Sequence, residues 1–160
     1  MKPLIVLILV FILSAFLIRL VTQKYDLLLA ARIGMCAMLC FTAVGHFAFT
    51  KGMAMMLPPI VPLKNEIIYL TGLLEILLGV GLLIPRLTVY SGWLLIAFFI
   101  VLLPANIYSS IKQVDFEKAT LNGNGISYLW FRIPLQIFFC YLDIHFRYKP
   151  LRTMQCLLIL

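Results

Sequence analysis

A chain of 160 residues that is 64% hydrophobic and 12% charged is not a soluble domain, in which roughly half the residues are apolar and about a quarter charged. Its formal net charge of +7 does not mark a nucleic-acid binder, because the basic residues cluster at the ends of apolar runs, as they do for membrane topology and lipid-headgroup contacts. The runs are long and leave little chain between them, so the reading is an all-α integral membrane protein with the bilayer as its surroundings and no nucleic acid as partner.

The first run, Leu4 to Leu20, follows Lys2. A secretory signal has a similar pattern, but no small-x-small cleavage site follows it, and Phe16, Leu17 and Ile18 stand where one belongs. It is therefore read as an uncleaved transmembrane helix ending at Arg19 to Lys24. The second run, Leu27 to Phe49, carries Arg32 near its start and His46 near its end. These share a helix face about 21 Å apart. Thr50 to Asn65 is an apolar connector with three prolines. It is expected to break helix and to lie in the interface as a lid over one end of the bundle.

The third helix, Glu66 to Ile84, contains the stretch YLTGLLEILLGVGLLIPR over 69–86. Glu75 sits near its middle, with Thr71 and Gly79 on one face and Gly72 beside them. A carboxylate in hydrocarbon costs several kcal/mol unless it is paired, neutralised or turned inward. Small residues flanking it allow close packing on a neighbour that satisfies it. Pro85 and Arg86 end this helix, and the short connection makes an antiparallel hairpin with the fourth, Leu87 to about Ser110. Pro104 interrupts the fourth helix, and Asn106 follows the kink. Ile111 to Gly125 is a polar loop with Asn122-Gly123-Asn124-Gly125 as its turn. The fifth helix is expected over Ile126 to Phe146, with Arg132, Gln136 and Asp143 on one face.

The organisation expected is an N-terminal transmembrane helix and basic connector over 1–24, a four-helix membrane domain over 25–148 and a short tail over 149–160. The fold class is thus a membrane four-helix bundle with one additional N-terminal transmembrane helix. One side of the membrane receives Arg19, Lys24, Arg32, Arg86, Arg147, Lys149 and Arg152, the other Lys2, Lys51, Lys64, Lys112 and Lys118. The excess of Lys and Arg sets the N-terminus outside and the C-terminus in the cytoplasm of a multi-pass cell-membrane protein, in the inner membrane if the source is bacterial.

With that topology, His46 lies about 6 Å below the outer helix ends, Glu75 about 12 Å, Asn106 about 6 Å, Arg132 about 9 Å and Gln136 about 15 Å. Separate helices thus bring polar side chains to the same half of the bundle. Glu75 and Arg132 form the natural ion pair, because a guanidinium fork holds a carboxylate with two bonds. Arg32 and Asp143 match in depth on the cytoplasmic half. Each residue also has a structural reading: a register lock for Glu75 and Arg132, a hydrogen-bonded packing residue for His46, a group satisfying the kink for Asn106. As a set in a membrane interior they form a candidate ligand site. The cysteines, Cys36, Cys40, Cys140 and Cys156, form no CxxC and no zinc spacing with histidine. They read as small apolar packing residues, and no metal site or catalytic residue is assigned.

GHF at 45–47, TGLLEILLGVGLLIPR at 71–86, PANIY at 104–108 and RIPLQ at 132–136 resemble the DoxX-like family of small membrane proteins. The resemblance covers about 27–146 and leaves the first helix as an addition. It implies a four-helix membrane bundle whose relatives are linked to quinone-reducing oxidoreductases, thiol-redox or oxidative-stress complexes, and receptor assembly. On matching motif positions it implies a pocket of His46, Glu75, Asn106, Arg132 and Gln136. The absent CxxC speaks against direct disulfide chemistry.

The functional expectation is a subunit that is not an enzyme on its own. It would bind a small amphipathic molecule, a quinone or lipid held without a covalent bond, for a membrane redox partner. His46 and Arg132 would hydrogen-bond a carbonyl or headgroup, and Glu75 would orient Arg132. The alternative is an assembly or interaction factor for a client membrane protein, with a structural polar cluster. A small transporter is disfavoured by the helix number and the absence of an internal repeat.

Overall fold

The computed structural model describes residues 2–115 and 118–121. The expected fifth helix, with Arg132, Gln136 and Asp143, the Asn122 turn and the C-terminal tail, lies outside the described residues. Over the described residues the chain is helical: α1 spans Lys2–Thr22, α2 Leu27–Ala48, α3 Thr50–Ala54, α4 Lys64–Leu83 and α5 Thr88–Ile111. Four of these, α1, α2, α4 and α5, are long and apolar enough to cross a membrane. The protein is therefore a membrane protein with at least this much of the expected architecture.

The corners between helices are built from short polar side chains. Thr22 donates its hydroxyl to the carbonyl of Ile18 at 2.7 Å, and the Arg19 guanidinium lies 4.4 Å over the Tyr25 ring. Asp26 then caps α2 by accepting the Leu29 amide at 3.0 Å. At the far end of α2, the buried Thr50 donates to the carbonyl of His46 at 2.8 Å. In the α4–α5 hairpin, Thr88 is placed to donate to the carbonyls of Leu82 at 3.1 Å and Ile84 at 2.9 Å. These hydroxyls satisfy carbonyls that a helix end leaves without an intrahelical donor, which matters most where no water is available.

The connector differs in part from the lid expected. It opens with a helical turn, α3, before the prolines break the chain. The reason is local: Met53 N donates to Phe49 O at 3.0 Å, and beyond α3 tighter turns continue with Met56 N to Met53 O at 3.0 Å and Leu57 N to Ala54 O at 3.3 Å, the last donor before the prolines. The first proline of the connector is Pro58. Lys64, the first residue of α4, reaches back with Nζ to the carbonyl of Leu57 at 3.0 Å. The loop tip turns Ile60 outward, 89% exposed, as an apolar interfacial segment would.

Two close seams organise the helices. Ser14 of α1 approaches the carbonyl of Ala30 on α2 at 3.3 Å. Beside it, a Cβ on Gly34 would come within 3.2 Å of the Leu7 carbonyl oxygen. Only a small residue lets α1 sit this close. The outer face of α1, including Leu9, Ile12 and Phe16, remains exposed, as lipid-facing residues are. The second seam joins α2 and α4. Leu39 lies against Gly79, Thr42 against Glu75 and His46 against Gly72, so the helices run antiparallel. Met35, Met38 and Leu39 of α2 join Leu78 and Leu82 of α4 and Leu95 and Phe98 of α5 in one apolar core.

Candidate functional site

Glu75 projects from α4 into the α2 seam and is 5% exposed. It is reached there by two residues from successive turns of α2. The Thr42 hydroxyl lies 2.8 Å from Glu75 Oε2. It also lies 2.9 Å from the carbonyl of Leu39 and 3.2 Å from that of Met38. One hydroxyl has one proton, so these are alternatives. With Glu75 ionised, Thr42 donates to the carboxylate. With Glu75 protonated, the acid donates to Thr42, which turns its own proton to its helix.

His46 lies one turn further along α2. Its Nδ1 is 2.9 Å from the carbonyl of Thr42 and 3.6 Å from Glu75 Oε2. A carbonyl only accepts, so Nδ1 carries the proton and donates. The distance to Glu75 is too long for a strong hydrogen bond but short enough for attraction if the ring is charged. The ring is thereby oriented through Nδ1, and no described residue hydrogen-bonds Nε2. The His46 side chain is 15% exposed, against 6% for Glu75. The acid is thus the inner member and the imidazole the outer one.

Glycines make this contact possible. A Cβ at Gly72 would lie 3.0 Å from His46 Cβ and 3.4 Å from Phe47 Cε2, so the backbone of α4 runs directly under the imidazole. Phe47 in turn stacks on Tyr69, ring centroids 5.7 Å apart and planes 16° from parallel. Aromatic rings therefore border the outer side of the site. Thr71, expected on the Glu75 face, spends its hydroxyl on the Ile68 carbonyl at 2.9 Å within its own helix.

Of the expected site residues, the structure brings His46 and Glu75 together. Asn106 is 4% exposed on α5, beyond Pro104. In the hairpin Gly81 meets Ser91, and equal lengths counted from that contact set Asn106 level with Glu66. That is toward the α3 end of the bundle and about 14 Å of helix rise from Glu75. Ser109 and Ser110 are buried with it on the last turn of α5. Arg132 and Gln136 lie outside the described residues, and with them the expected Glu75–Arg132 pair. Thr42 is the member that the sequence reading missed. Its signal was available, since it stands four residues before His46 and so on the same face. Among the described residues no set of His, Cys, Asp and Glu side chains converges on a metal position.

A family model described as Domain of unknown function (DUF8561) matches residues 35–147 of the chain. The chain belongs to that family, and the match includes the whole of the Thr42–His46–Glu75 site while leaving α1 outside. Neither the curated proteins nor the solved structures contain a match.

Proposed function

We propose that this member of the DUF8561 family is a non-catalytic membrane subunit that binds a small amphipathic molecule, a quinone or a lipid, for a membrane redox partner. The observation that carries the reading is the orientation of His46. Its Nδ1 is committed to the Thr42 carbonyl at 2.9 Å, which leaves Nε2 as the ring's atom for a ligand. A neutral Nε2 accepts from a hydroxyl, as on a quinol or a lipid headgroup. A protonated one donates to a carbonyl, with Glu75 at 3.6 Å to balance the charge. The stacked Phe47 and Tyr69 offer a flat apolar wall for the rest of the molecule. Arg132 and Gln136 complete the proposed ligand set, with Asn106 one or two turns farther out for a ligand long enough to reach it, in keeping with the DoxX-like motifs, all of which fall within the matched stretch. The orientation proposed is N-terminus outside and C-terminus cytoplasmic in the cell membrane, which puts His46 near the outer surface.

A second reading has its own support. Gly72, Gly79 and the Thr42–Glu75 bond draw α2 onto α4, as a structural lock in an assembly factor would. Native mass spectrometry of the protein in mild detergent separates the two. The binding reading expects a retained quinone or lipid that His46→Ala removes while the helices stay folded. A protein that takes up neither, or a His46→Ala variant that retains its ligand undiminished, overturns it in favour of the lock.

A further inference from the structure

We propose that Cys36 and Cys40 form a dithiol site inside the membrane for a monosubstituted trivalent arsenical, RAs(OH)2. The site is separate from the Glu75 cluster. Residues four apart share a helix face, and both thiols are free and half-buried. On that spacing their Cβ atoms are about 5–6 Å apart, one helical turn from each other. Cys36 stands beside the α4 seam, its Cα 3.6 Å from where a Cβ on Gly79 would be. Both thiols are partly exposed, and Val44, one turn beyond Cys40 on the same row, is 63% exposed. An apolar reagent can reach the pair through lipid.

Depth selects the chemistry. Cys36 is about 14 Å from the start of α2 and Cys40 about 12 Å from its end, so both lie in the middle of the hydrocarbon. A net charge there is costly. Soft electrophiles favour thiol ligands, but a monovalent cation on two thiolates leaves an anion. A linear divalent ion needs the sulfurs pushed apart. An arsenic centre with one organic substituent is bent, suits two thiols one helical turn apart, and yields a neutral product. The step balances as RAs(OH)2 plus two thiols giving RAs(SR′)2 plus two water molecules. Two As–O bonds break and two As–S bonds form. Each thiol proton leaves with a released hydroxide, and no oxidation state changes, so no oxidant is required.

The test uses the full chain in detergent, with Cys140→Ala and Cys156→Ala so that only this pair remains. Phenylarsine oxide, which hydrates to the required form, is the probe, and intact mass is the readout. The expected result is a single phenylarsenic unit replacing two hydrogens. The adduct should resist displacement by monothiol about a hundredfold better than one held by a single thiol, because the second As–S bond closes intramolecularly. A 1,2-dithiol should remove it. Cys36→Ala or Cys40→Ala should each abolish this resistance, with helical content and elution volume unchanged. If an alanine variant does not fold, capping one thiol of the folded parent with N-ethylmaleimide, as a thioether that the monothiol does not displace, must have the same effect. No adduct on the folded chain, an adduct formed only after unfolding in SDS, or equal resistance with one thiol removed would each overturn the assignment.

Discussion

Replacing Thr42 with valine removes one hydroxyl from the centre of the α2–α4 seam and nearly preserves its shape. The loss depends on what faces it. In the wild type the hydroxyl meets the Glu75 carboxyl at 2.8 Å, in a position 5% exposed. A hydrogen bond to a charged group is worth about 1.5–3 kcal/mol, whereas interhelical bonds measured in membranes average about 0.6 and reach about 1.7 kcal/mol. The membrane value sets the scale and the acid moves it to the upper end, so Thr42→Val should cost about 1–2 kcal/mol. In a Glu75→Leu background the hydroxyl still has the Leu39 carbonyl at 2.9 Å. That local bond contributes little to helix association, so Thr42→Val there should be near neutral. The double-mutant cycle should therefore yield a coupling of about 1–2 kcal/mol, read from reversible unfolding in mixed micelles. Equal costs in both backgrounds would refute the reasoning, because the hydroxyl would then act only within its own helix.

The glycines should rank by the space they leave. Gly72→Ala should be the most disruptive, by about 1–3 kcal/mol, because its Cβ would meet His46 Cβ at 3.0 Å, an atom that no rotamer change moves, and it should weaken retention of a bound quinone or lipid. Gly81→Ala, whose methyl would overlap the rotatable Ser91 hydroxyl and then meet Ser91 Cβ at 3.2 Å, should cost less, and a partial recovery with Ser91→Gly would identify that contact as the cause. Gly79→Ala, with no neighbour nearer than 3.4 Å, should be mild, and thermal melts of the three variants in one detergent would expose a wrong order. Gly34→Leu should separate α1 from α2, since even a Cβ there comes within 3.2 Å of the Leu7 backbone oxygen; a cysteine cross-link between the two helices should then fail to form. For orientation, a cysteine at the exposed Ile60 should react with an impermeant maleimide from outside intact cells, and reaction only after permeabilisation would reverse the proposed topology.

Run length and breaker residues made the membrane character and the helices α1, α2, α4 and α5 legible, because hydrocarbon admits only long apolar helices whose backbone groups bond internally. The buried acid was legible for the same reason. Glu75 stands out in TGLLEILLGVGLL because nothing around it is charged, and Gly72 and Gly79 mark the side that packs closely. Capping threonines such as Thr50 and Thr88 were not legible, since a threonine at a helix end has many possible partners. Nor was the turn of helix in α3, where proline density suggested a break from the start. Which residue would reach Glu75 was decided by the antiparallel register of α2 on α4. That register is set by backbones meeting at Gly72 and Gly79 and brings Thr42, rather than any charged group of α2, to 2.8 Å from the carboxylate. Sequence spacing orders residues along one helix, but the rotation and offset between two helices come from packing small against large. The composition therefore determined that an acid had to be buried among helices, and only the tertiary packing determined the hydroxyl and the imidazole that meet it.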